Sequence, residues 1–204
     1  MSLLPVYGCT ALTAHQANDV FALWHAWEDE CGRECDVPYW AVVWPGAVSL
    51  AAYILSRPET VRNMNVLDFG CGCGIAGIAA AKAGALKVIA NDIDPAALHI
   101  ARLNSQANNV TMHFNSENLL IKDIPESYDI ILVADMFYNR KQSIPTINLL
   151  RKHKARGTRI LIADAERPFT PRQNMQIFKE EIVPVNFDLE GVKERRVTIG
   201  TLNV

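Results

Sequence analysis

Short apolar runs and longer stretches of helical spacing take turns along most of this chain. Asn65-Val66-Leu67-Asp68-Phe69 and residues 87–90, 110–114, 129–134 and 159–163 read as buried strands. Residues 75–83, 95–107, 141–154 and 172–180 read as helices between and after them. Gly84 closes the first helix, Pro95 opens the second, and Pro145 sets the start of the third near itself. Two final β-like runs, 182–189 and 195–204, are spaced to pair as a hairpin across Glu190-Gly191. Strands that alternate with helices predict an α/β fold, a mostly parallel sheet covered on both faces. The terminal hairpin adds an antiparallel strand at one edge.

The first 45 residues follow a different pattern. Val20, Phe21, Leu23, Trp24 and Trp27 fall at helical spacing within residues 17–30, and Pro38 then breaks the chain. Trp44-Pro45-Gly46 opens a further helix over 47–57, which Pro58 ends. No repeat or long linker divides the sequence. It reads as one domain over 1–204, with a helical appendage (1–45) and a Rossmann-like core (46–204).

Composition narrows the possible roles. Half of the residues are hydrophobic, yet the longest apolar runs fall short of the roughly 20 residues that span a bilayer. The first basic side chain is Arg33, so neither the positive start of a secretory signal nor an arginine-rich transit segment is present. A cytoplasmic location with no membrane partner is expected. Residues 1–100 carry five Lys/Arg against ten Asp/Glu, and the remainder fifteen against twelve. A nucleic-acid partner calls for a basic face and a high pI, so none is expected. The densest basic patch is Arg151, Lys152, Lys154, Arg156 and Arg159. It reads either as a solvated helix C-terminus, where cations complement the dipole, or as a docking surface for an acidic partner. Five cysteines without zinc spacing point to reduced thiols and no metal site.

The chemistry centres on Asp68-Phe69-Gly70-Cys71-Gly72-Cys73-Gly74. Gly70, Gly72 and Gly74 let a strand turn tightly into a helix and let a ligand approach the backbone. A dinucleotide fingerprint, Gly-x-Gly-x-x-Gly, would need glycine where Ile75 stands. Asp68 would repel a pyrophosphate but suits a cationic amino-acid tail. The expected cofactor is therefore S-adenosylmethionine, which carries an ammonium and a sulfonium and no phosphate. Asp92, at the tip of the second core strand, is placed for the ribose hydroxyls, while Asp94 fits as N-cap of the helix that Pro95 opens. Ile93 is placed to pack on the adenine. Asn118 reads either as a partner of the adenine edge or as a turn asparagine.

These segments, with Pro38-Tyr39-Trp40-Ala41, Trp44-Pro45-Gly46, Asp135-Met136-Phe137-Tyr138, Asp164 and Arg167-Pro168, resemble the electron transfer flavoprotein β-subunit lysine methyltransferases. These belong to the family-16 seven-strand methyltransferases, and the likeness runs from Pro38 almost to the end, where Val183-Pro184-Val185 and Val192-Lys193 are similar to bacterial members. The resemblance implies a class I methyltransferase fold and methylation of protein lysine, with the flavoprotein β-subunit as substrate. It also implies that Trp44 packs near the cofactor and that Asp135 and Tyr138 border the methyl acceptor. A carboxylate favours the ammonium form of lysine, so Asp135 cannot activate the amine by lowering its pKa. Its expected role is to orient the amine after proton loss to water, with Tyr138 as an aromatic wall and positioning as the main source of rate. A monomer is expected. Two rivals stay open: an N-methyltransferase for a small nicotinamide-like amine, and a non-catalytic module that binds the cofactor.

Overall fold

The computed structural model describes residues 1–122 and 127–203. In chain order the elements are β1 (Ser2–Val6), β2 (Cys9–Gln16), α1 (Val20–Cys31), α2 (Pro45–Ser56), β3 (Asn65–Phe69), α3 (Ile75–Lys82) and β4 (Lys87–Asn91). There follow α4 (Pro95–Ala107), β5 (His113–Asn115), β6 (Ile130–Ala134), α5 (Arg140–Ala155), β7 (Arg159–Asp164), β8 (Met175–Pro184), α6 (Phe187–Glu190) and β9 (Glu194–Leu202).

Among the described residues seven strands form one sheet, in the order β5-β4-β3-β6-β7-β9-β8. β3 to β7 are mutually parallel, and β9 runs antiparallel to both β7 and β8. The chain steps outward from β3 to β5 and then crosses back to place β6 on the other side of β3. That reversal opens a crevice at the carboxyl ends of β3 and β6, the place where such sheets bind ligands.

Both faces of the sheet are covered. Val66 points into a core shared with Leu50, Ile54, Ile75 and Ile78 of α2 and α3. Its neighbour Leu67 points the other way, toward Ile131, Val133 and Leu150. Near-continuous apolar strands follow from burial on two faces, and each fully buried Leu or Ile contributes about 1.5–3 kcal/mol.

The expected α/β architecture and the Asp94 cap at Pro95 are present, the cap accepting from Ala96 N at 2.8 Å. Three expectations are corrected. Residues 175–184, taken mostly for a helix, form β8; their exposure alternates residue by residue, and they pair with β9 from Met175↔Leu202 to Pro184↔Glu194. Long-range pairing overrides the helical propensity of Gln, Lys and Glu there. The hairpin therefore begins earlier than 182, and residues 187–190 form α6 in its connection; Val204 lies outside the described residues. α5 begins at Arg140, ahead of Pro145, because Asn139 caps it by accepting from Lys141 N at 2.8 Å.

The third correction concerns the appendage, which is a hairpin as well as a helix. β1 and β2 pair antiparallel. The backbone of β2 is stitched to α4: Thr13 N donates to Asn108 Oδ1 at 3.1 Å and His15 N to Asn104 Oδ1 at 2.7 Å. Fully buried Asn104 also donates to the carbonyl of Cys73 at 2.9 Å. One side chain thus ties the hairpin, α4 and the glycine turn together. Asn104→Ala leaves the His15 N–H and the Cys73 carbonyl without that partner, and unmade buried bonds cost about 1–3 kcal/mol each. Thermal or urea unfolding should show a loss of about 2–4 kcal/mol. A loss below about 1 kcal/mol would remove Asn104 from this role.

Candidate active site

β3 ends at Phe69, and the chain turns through Gly70 (φ 65°), Gly72 (φ 52°) and Gly74 (φ 82°) into α3. All three φ values are left-handed, which side-chain-bearing residues adopt only with strain. Space adds a second reason at two of them. A β-carbon on Gly70 would lie 2.2 Å from Met136 Sδ, and one on Gly74 would lie 2.8 Å from the β-carbon of Ala101. At Gly72 nothing lies within 4 Å, so that glycine presents an open backbone face.

Two carboxylates support the turn. Asp92, just past β4, accepts from Gly72 N at 2.9 Å through one oxygen and from Asp94 N at 3.0 Å through the other. Asp68, on β3, is 2 % exposed and accepts from Gly77 N of α3 at 2.8 Å. Among the described residues the partners of both carboxylates are backbone N–H groups, and no cation lowers either pKa. Burial pushes the Asp68 carboxyl up to about 7, against the lowering effect of the Gly77 bond, and Asp92 adds to the rise. Asp92 is also raised, chiefly by burial. The turn is a pocket of unbalanced negative charge.

Ile93, at the tip beyond Asp92, is 54 % exposed. The Oδ1 of Asn118 accepts from Leu120 N at 3.0 Å, so this oxygen serves a turn.

The second half of the site lies across the crevice, after β6. Asp135 takes a left-handed φ of 52°, rare for a residue with a side chain. Its Oδ2 accepts from Gly46 N at 2.6 Å, and its Oδ1 from Ala165 N at 2.9 Å and Arg167 Nε at 3.0 Å. Three of its roughly four lone-pair positions are therefore filled. Gly46 is required here: a β-carbon would lie 2.6 Å from Asp135 Oδ2 and 2.8 Å from the carbonyl oxygen of Ala163. The next three side chains diverge. Met136 packs under Gly70, Phe137 is fully buried, and Tyr138 stands 37 % exposed at the rim.

Arg167 joins this half together. It forks onto Glu190 of α6 at 3.0 and 2.8 Å, bonds Asp135, and lies 5.2 Å above the Trp44 ring. Glu190 also receives Arg195 Nε at 3.0 Å. Burial works against the charge on Arg167, but Asp135 and Glu190 outweigh it and raise its pKa. Trp44 donates from its indole to the Tyr39 carbonyl at 2.8 Å. The Tyr39 ring sits 5.9 Å from Trp44 and 5.1 Å from Tyr138, which makes an aromatic wall. The Tyr138 hydroxyl is pushed up to about 12, first by burial and then by Tyr39, Asp92 and Asp36. Asp92 thus acts electrostatically on Tyr138, which links the wall to the glycine-turn half.

The structure gathers Asp68, Gly70, Gly72, Gly74, Asp92 and Ile93 at one end of the crevice and Trp44, Asp135 and Tyr138 at the other. The Arg167–Glu190–Arg195 chain was not foreseen as part of the site. Its members lie 23 and 5 residues apart in sequence and meet only through the β8–β9 connection.

The fold and crevice are those of the Rossmann-like methyltransferases. The N-methyltransferase NodS from Bradyrhizobium japonicum WM9, solved with S-adenosyl-L-homocysteine, matches with a TM-score of 0.59 at 16 % identity, over 88 % of this chain and 97 % of that one. The chain belongs to the lysine methyltransferase family, whose model matches residues 17–182. The electron transfer flavoprotein beta subunit lysine methyltransferase of Xenopus laevis is 42 % identical over 132 residues, 64 % of this chain and 53 % of that protein. The homolog of that enzyme in Caenorhabditis elegans is 33 % identical over 199 residues, 88 % of this chain and 81 % of that one. The chain spans about half the length of the Xenopus laevis and Danio rerio enzymes that it matches.

The buried Asp68 carries a stability signature. Its folded pKa of about 7 lies above the unfolded value near 3.9, so the folded state holds an extra proton between those limits. The associated penalty is absent below about pH 4, grows as pH rises, and is complete above about pH 7. Asp68→Asn removes it. The variant should lose roughly 2–4 kcal/mol less stability than the parent between about pH 4 and 7.5, measured by urea unfolding without ligand. Parallel pH profiles for the two proteins would contradict the shift.

Proposed function

We propose that this chain is an S-adenosylmethionine-dependent N-methyltransferase that modifies lysine on a protein, the electron transfer flavoprotein β-subunit. The observation that carries the reading is the pair of buried Asp68 and half-buried Asp92 beside an open glycine turn, with no cation bonded to either among the described residues. A ligand with a cationic amino-acid tail would relieve that charge, whereas a pyrophosphate would add to it. The acceptor is taken from the relatives, which are lysine methyltransferases of the electron transfer flavoprotein beta subunit.

When bound, the cofactor supplies an electrophilic methyl group on a sulfonium. Gly70, Gly72 and Gly74 would line its amino-acid side, with Asp68 facing the ammonium and Asp92 the ribose hydroxyls. Ile93 and Asn118 would border the adenine, and Trp44 would cover the cofactor from the α2 side. Tyr39 and Tyr138 would guide the lysine stem along the aromatic wall. Asp135 acts first by position: it locks the start of α2 against the ends of β6 and β7, and one lone pair remains for an incoming amine. Orientation of this kind carries most of the rate. The exposure of Tyr39 and Tyr138, 42 % and 37 %, suits a macromolecular acceptor better than a small amine sealed in a cavity.

Incubation with methyl-labelled cofactor and purified flavoprotein β-subunit should place label on lysine of that protein, read by peptide mass spectrometry. Asp92→Ala should weaken cofactor binding about tenfold or more, since it removes two backbone bonds and a charge. Asp135→Ala should leave binding largely intact and abolish transfer. Label that enters small amines and no protein would sink the protein-lysine reading. Cofactor binding without any transfer would leave only a binding module.

A further inference from the structure

The methyltransferase reading uses one end of the sheet. At the other end, where β3, β6 and β7 begin, the surface opens into a cleft of about 690 Å³, within the usual range for small-molecule sites. Its walls come from three separate places: the turn at 62–64, the approach to β6 at 127–129, and the turn from α5 into β7 at 156–159. Each wall is distant from the others in sequence, and two of them contribute arginine. Arg62, Arg156 and Arg159 all line the cleft.

None of these three guanidiniums takes part in the ion pairs formed among the described residues. The acidic side chain in the lining, Asp129, is already engaged, accepting from Asn65 N at 2.7 Å and from Asn65 Nδ2 at 3.2 Å. Arg159 uses one nitrogen on the Thr60 carbonyl at 3.1 Å, which fixes its direction and leaves its other donors available. Lys154 is turned elsewhere, onto the carbonyl of Leu202. Complementing the dipole at the end of α5 accounts for Arg156 but not for Arg62 or Arg159, which sit on other elements. Like charges gathered round one concavity repel each other, and a shared anion removes that repulsion.

We infer that this cleft is a second binding site, for a small polyanion with at least two phosphoryl groups. Arginine presents a planar fork of donors that matches phosphate oxygens two at a time, and three forks suit a diphosphate or triphosphate chain. The cleft offers little to a nucleobase, since its one aromatic lining residue, Tyr128, is 6 % exposed. Recognition rests on the phosphate chain alone, so a base should add nothing.

Calorimetry with the full chain at low ionic strength tests this without reference to methyl transfer. Inorganic tripolyphosphate and ADP are the probes. Both should bind, tripolyphosphate at least as tightly as ADP, and added salt should weaken both. Arg62→Gln and Arg156→Gln should each weaken tripolyphosphate about tenfold, as expected for loss of one charge-assisted contact. Arg151→Gln, on α5 but outside the cleft, should leave affinity unchanged. Arg62, Arg156 and Arg151 are themselves exposed, so the variants should retain the parent's unfolding midpoint. Absence of heat with either probe would overturn the site. So would equal weakening by Arg151→Gln, which would show only diffuse attraction to a basic helix end, or ADP binding that depends on its base.

Discussion

Carboxylates with no counter-ion among the described residues govern the glycine-turn end of this molecule. Asp68 and Asp92 stand at the ends of neighbouring parallel strands, each held by backbone N–H groups and neither by a cation. The glycines allow the left-handed path, and the carboxylates hold it: Asp92 accepts from Gly72 N, and Asp68 from Gly77 N of α3. The same carboxylates that shape the loop therefore give it its electrostatic character. A protein that needed only a tight strand-to-helix turn would gain nothing from burying two ionisable groups there, since desolvation works against their charged forms.

The half of the crevice around Asp135 is organised around a different charge balance. Here two carboxylates are matched: Arg167 lies between Asp135 and Glu190, and Arg195 completes the chain. This network draws the β8–β9 connection toward the crevice and places a guanidinium on the outer face of Trp44. Truncating Arg167 would take the cation from buried Asp135 and one of the two from Glu190, so the network fixes a geometry more than it adds stability. α2 spans both halves. Its first turn is clamped by Asp135, its N-cap is Trp44, and its buried face packs in the core shared with α3.

Where the chain alternates between period 2 and period 3.6, the architecture was readable from sequence, and the buried central strands were placed to within a residue or two at most ends. The glycine turn and its two acids were equally legible, because local spacing alone demands them. β8 was misread because Gln176, Lys179, Glu180 and Glu181 favour a helix in isolation and take strand form only by pairing with β9. β1 and β2 escaped notice because their register is fixed by Asn104 and Asn108, some ninety residues away. The Arg167–Glu190 clamp was illegible for the same reason: nothing near Arg167 in sequence announces its partner. Asp135 was singled out by its motif, but its engagement with Gly46, Ala165 and Arg167 was not legible, since those contacts exist only after the sheet has assembled.

The claim that the glycine turn is built to receive a cation has a direct test in proton linkage. At about pH 6 the Asp68 carboxyl, held near 7, is mostly protonated in the free protein. Binding of a cationic tail must ionise it, so S-adenosylmethionine titrated calorimetrically in buffers of different ionisation enthalpy should release close to one proton, and the Asp68→Asn variant should release almost none. Binding with no proton release from the parent protein, or with proton uptake, would contradict the account.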